Sequence, residues 1–192
     1  MSTDEVSVLC EARCQVGESP IWSPVEQALY WVDTRRRRVQ RWREGQGVQH
    51  WSTPSDVGSI ALAQPGRLLL ALEDGFATLD LQGGEVRRLA DVAHARPPMR
   101  LNDGRTDREG RFLAGSMVLH RHDPEGALYR LETDGRVRRL LVGAAEDRAE
   151  GVALLRTLPK LAALLQQHGN PGPAGIAPKR DWTYRHVTWL GH

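Results

Sequence analysis

A phrase that recurs along the chain limits what it can fold into. "AQPGRLLLALEDGFATLDLQGGEVRRL", residues 63 to 89, runs through a turn, a Gly-Arg opening, an apolar strand, a second strand and a closing Val-Arg-Arg-Leu. "DREGRFLAGSM…GALYRLETDGRVRRLL", within residues 107 to 141, repeats that order. "SPVEQALYWVDTRRRRVQRW" is a looser copy, with a turn at Ser23-Pro24, a strand over Ala28 to Asp33, a charged connection and a strand from Val39 to Trp42. Equivalent positions lie 44 residues apart for Gly66 and Gly110, 47 for Val39 and Val86, and 51 for Val86 and Val137. A strand-built period of about 40 to 50 residues is the signature of propeller blades, each burying its faces against its neighbours. The expectation is an all-β chain carrying about three blades. Propellers close with roughly four to eight blades, so three leave two open sides.

Charge and terminal composition exclude several functions. The 26 basic and 24 acidic residues leave a net charge of only +2, which does not describe a polycation steered to nucleic acid. Arg35 to Arg38 sit in a hairpin connection and read as a solvated surface, so no nucleic-acid partner is expected. "MSTDEVSVLCEARC" lacks a basic stretch followed by an apolar core, and no run of about 18 apolar residues occurs anywhere, so a cytoplasmic protein without a membrane partner is expected. Cys10 and Cys14, with no second Cys or His pair at ligand spacing, read as reduced thiols rather than a zinc site. Trp22 and Trp31 fall at strand positions and are expected in blade cores.

The idiom changes near residue 143. "AAEDRAEGVALLRTLPKLAALLQQHG" spaces leucines helically and predicts a helix around 146–168 with Pro159 as a break, followed by a Gly- and Pro-rich loop or disordered tail. The domain boundary is accordingly placed between 1–142, a partial propeller, and 143–192, a divergent and partly helical tail.

Two short stretches carry the chemistry. In "VGESPIW", Glu18 precedes a Ser-Pro turn, where a carboxylate at an inner blade rim would suit a hard divalent cation, or would simply be a surface glutamate. In "MRLNDGRTDREGRFLAGSM", Arg100, Asn102 and Asp103 cluster at what reads as a tight turn closed by Gly104, with Asp103 as the turn former. His120 and His122, in "VLHRHDPEG", read as solvated loop residues in preference to metal ligands.

Taken together, "GESPIW…ALYWVD", "RLNDGRTDREGRFLAGSM" and "GALYRLETDG" resemble, in that order, the signature segments of the gluconolactonase, senescence marker protein (regucalcin) and luciferin-regenerating enzyme family, over about residues 8 to 142. The resemblance implies a six-bladed propeller of about twice this β-length, with one divalent metal in its channel and sugar-lactone hydrolysis as the common activity. It implies Glu18 as a metal ligand and Arg100 and Asn102 as substrate contacts, with His120 near the place of a further substrate-contacting glutamate. The metal it implies is calcium or zinc, with magnesium or manganese as alternatives. The family's remaining metal ligands and its catalytic base have no counterpart after Val142, so the chain is expected to be a truncated, shifted-frame or fused version and catalytically impaired. The alternative is a non-catalytic propeller-derived binding or oligomerisation module that self-associates through its open blade edges.

Overall fold

The computed structural model describes residues 8–95, 97–119 and 125–142, and in the strand that closes this span the side chains of residues 141 and 142 are not described. Twelve strands follow in chain order: β1 Gly17–Ser23, β2 Ala28–Asp33, β3 Arg38–Arg43, β4 Gly47–Ser52, β5 Val57–Leu62, β6 Arg67–Leu72, β7 Gly75–Asp80, β8 Val86–Asp91, β9 Met99–Thr106, β10 Phe112–Val118, β11 Ala127–Leu131 and β12 Val137–Val142. They form three four-stranded antiparallel meanders, β1–β4, β5–β8 and β9–β12. The three blades expected from the repeat are present, and the described residues are all-β. The helix expected around 146–168 and the boundary near 143 fall on residues outside the described part.

The Gly-Arg opening of each repeat has a backbone cause. Gly66 and Gly110 both take φ of 77° at the end of the turn between the first and second strands of their blades, a left-handed conformation that a side chain disfavours. Blade one has Gln27 there instead, at φ 49°. The middle blade is apolar on both faces because it is covered on both. Leu68, Leu70 and Leu72 alternate toward blade one, packing with Tyr30, Val32 and Val39. Leu69, Ala71 and Phe76 face blade three and meet Leu101, Phe112 and Tyr129. Phe76 and Phe112 meet edge to face at 5.7 Å across that second junction.

Two sequence expectations are corrected here. Asn102-Asp103-Gly104 is not a turn: it lies inside β9, which pairs with β10 through a register shift between Ala114 and Ser116. The chain reverses later, over Asp107 to Gly110, where the Asp107 carboxylate accepts the Glu109 and Arg111 backbone N–H groups at 3.1 and 2.9 Å. Asp103 accepts the neighbouring Gly104 N–H at 3.0 Å and is exposed. Trp31 is buried as expected, but Trp22 is 45% exposed because its side of blade one meets no other blade among the described residues. The arginine-rich connection is surface, though not purely solvated: Arg35 and Arg37 both reach Asp56, at 3.3 Å each. Cys10 and Cys14 are free thiols. No helix among the described residues is long and apolar enough to cross a membrane.

Candidate active site

The first strand of each blade is hydrogen-bonded on one side only, β1 to β2, β5 to β6 and β9 to β10. β5 packs against both β1 and β9, so these three strands gather with their unpaired edges on one side of the molecule. Glu18 and Arg100, expected from sequence to share a site, belong to strands of different blades and are brought together here.

Glu18 is aimed by an irregularity in β1. The β1–β2 register shifts between Glu18 and Ile21, and Ser19 adopts φ 53°, an unusual conformation for a residue with a side chain. The Ser19 hydroxyl accepts the backbone N–H of Ile60 on β5 at 3.1 Å, which ties the bulge to the neighbouring blade. Behind it, the buried Asp33 carboxylate accepts the N–H groups of Gln15 and Val16 at 3.0 and 3.1 Å and anchors the start of β1. Asp33 and Ser19 are supports that motif reading did not single out. A residue of positive φ has no sequence mark when it is not glycine, and an Asp closing an apolar strand looks like any strand end.

Burial is the largest influence on the Glu18 carboxyl and raises its pKa above the ordinary carboxylate value. The Arg100 guanidinium opposes this, the Asp103 carboxylate adds to it, and the Thr34 hydroxyl lowers it slightly without a hydrogen bond of ordinary geometry. Arg100 is only 6% exposed. Its Nη1 donates to the Leu101 carbonyl at 3.0 Å and to Asn102 Oδ1 at 2.6 Å, which fixes the asparagine with its oxygen toward the guanidinium. β9 is itself held in place from the middle blade, since Leu101 N–H donates to the Glu73 carbonyl at 3.0 Å. Gly58 on β5 permits this approach: a Cβ there would lie 2.5 Å from the Leu101 carbonyl oxygen and 2.6 Å from Asn102. His120 lies outside the described residues.

Glu18 offers the hard oxygen donor that calcium prefers, yet the described residues do not fit a complete metal site. Among them no group of three or more His, Cys, Asp or Glu side chains could hold an ion, and Asn102 Oδ1 is engaged by Arg100. Calcium takes about six to eight oxygens and catalytic zinc about three protein ligands.

Blades one and three thus bring the Glu18 carboxyl within electrostatic reach of Arg100, and the sequence profile of one family covers both strands. The SMP-30/gluconolactonase/LRE-like profile matches residues 16–145. The chain belongs to that family. Regucalcin of Xenopus laevis is 35% identical over 142 residues, which are 70% of this chain and 47% of that protein. The 6-deoxy-6-sulfogluconolactonase of Pseudomonas putida is 36% identical over 124 residues, covering 64% of this chain and 43% of the relative. A solved structure of luciferin-regenerating enzyme superposes with a TM-score of 0.62 at 29% identity, covering 69% of this chain and 47% of that one. The chain thus spans about half the length of the curated family members it matches.

Proposed function

We propose that this chain supplies one wall of the channel of a cytoplasmic sugar-lactone hydrolase, with D-glucono-1,5-lactone as the substrate type. What supports this most is the meeting of Glu18 from the first blade with Arg100 and Asp103 from the third, in a member of a family that includes gluconolactonases. Hydrolysis adds water to the lactone carbonyl carbon and breaks its bond to the ring oxygen, giving the open-chain sugar acid. Arg100 presents guanidinium donors that suit the carbonyl oxygen as it gains negative charge, and its contact with Asn102 orients the amide beside it to bind sugar hydroxyls. His120 is proposed as a further substrate contact. Glu18 is proposed as one oxygen ligand of a divalent cation, calcium or zinc, with magnesium or manganese as alternatives. Among the described residues no group of three or more His, Cys, Asp or Glu side chains completes such a site.

Hydrolysis of D-glucono-1,5-lactone by the purified chain, followed by acid release with and without added calcium or zinc, tests this. A charge-assisted hydrogen bond contributes about 1.5–3 kcal/mol, so Arg100→Met should lower kcat/KM by roughly 10- to 100-fold. Glu18→Gln should abolish any dependence on the added ion. Turnover that neither substitution alters would defeat the proposal. A folded sample with no turnover would favour a non-catalytic interaction module, a second reading supported by the exposed tryptophan on blade one.

A further inference from the structure

Each blade has two equivalent rows of cross-strand neighbours, one per face. Leu62, Leu68, Leu79 and Val86 stand opposite one another across blade two, and this row packs on blade one. Its counterpart in blade three is Thr106, Phe112, Leu131 and Val137, of which the three apolar members pack on blade two. The same row in blade one is Trp22, Leu29, Trp42 and Val48. No blade precedes it among the described residues, and Trp22 and Val48 are 45% and 41% exposed. Nearer the molecule's inside, Cys14 already closes that face by accepting the Trp31 Nε1–H at 3.3 Å, so the outer row is what stays open.

The opposite row behaves likewise. Ile21 and Tyr30 of blade one pack on blade two, and Ala61 and Leu69 of blade two pack on blade three. The matching row of blade three is Arg105, Leu113, Arg130 and Arg138, and it faces no blade among the described residues. Arg105 and Arg138 are exposed. One end of the arc therefore shows tryptophan and the other arginine, a pairing the chain already uses where Arg41 lies 5.3 Å over the Trp51 ring.

We propose that the two ends of the arc dock on the opposite ends of a second copy of this chain. Two arcs related by a twofold axis bury the tryptophan row of each against the arginine row of the other, and both contacts form at once. The sum is six blades, within the range of closed propellers, and the described residues span about half of a solved relative, 47% of luciferin-regenerating enzyme. Closure covers both faces that the described residues leave open.

Light scattering on the purified chain tests this together with paired substitutions at positions exposed in the single copy. The wild-type chain should run as a dimer of about 43 kDa, twice its 21.4 kDa. Trp22→Arg with Val48→Arg sets arginine against arginine and should weaken association by at least ~10-fold. Arg105→Glu with Arg138→Glu should also weaken it. An equimolar mixture of the two double variants sets arginine against glutamate at one contact, keeps the original tryptophan–arginine pairing at the other and should recover the dimer, while unchanged circular dichroism of each variant shows that the blades persist. A monomeric wild type, an open-ended series of oligomers, a dimer indifferent to both variants, or a mixture that stays monomeric would each overturn the proposal.

Discussion

Glu18 is a charged side chain held where charge is costly, and that sets the sign of its pH dependence. Because its folded pKa is raised, the native state keeps this proton more tightly than the unfolded chain. Its contribution to stability therefore falls as pH rises from the ordinary carboxylate pKa through the raised one, and the penalty is complete above it. Glu18→Gln should melt at higher temperature than wild type at neutral pH, and the difference should vanish in acid, below both pKa values. Calorimetry of the two proteins at both pH values checks this, and equal melting temperatures at neutral pH would show that the carboxylate is not burdened by its surroundings. Sequence reading singled out Glu18, Arg100 and Asn102 because each stands in a quotable motif, and the fold brings Glu18 within electrostatic reach of Arg100. It misplaced Asp103, since Asn-Asp-Gly has the same turn chemistry whether the chain reverses there or, as here, three residues later at Asp107.

The strands were legible where breaks bracket an apolar run. β2 was expected over Ala28 to Asp33 and is found there, buried at nearly every position between the Ser23-Pro24 break and the charged Arg35 to Arg38 connection. Trp22 defeated the same logic: an aromatic at a strand position does not reveal whether another blade covers it. The junctions between blades carry the remaining energetics. Phe112 is fully buried against Phe76, and Phe112→Ala should cost about 3–5 kcal/mol in urea unfolding, enough to loosen blade three from blade two. Gly58→Ala forces β5 away from β9, at a cost of roughly 1–3 kcal/mol. It should also weaken lactone binding, because the strand it displaces carries Asn102. A Gly58→Ala protein with wild-type lactone affinity would show that the inner-strand spacing does not position the site.

Across the molecule, the repeat made the architecture readable as blades, but a count of blades does not say what covers the end faces. If two copies close one ring, the melting temperature should rise with protein concentration, because mass action favours the associated folded state. A melting temperature independent of concentration would mark the single arc as the folding unit. The lactone wall is reached most directly by NMR of the labelled chain titrated with a sugar lactam, which keeps the lactone ring but resists hydrolysis. Shifts should concentrate at the Arg100 guanidinium and the Asn102 side-chain amide and disappear in Arg100→Met. Shifts confined to other surfaces, or none at all from folded protein, would contradict a substrate site on the inner strands.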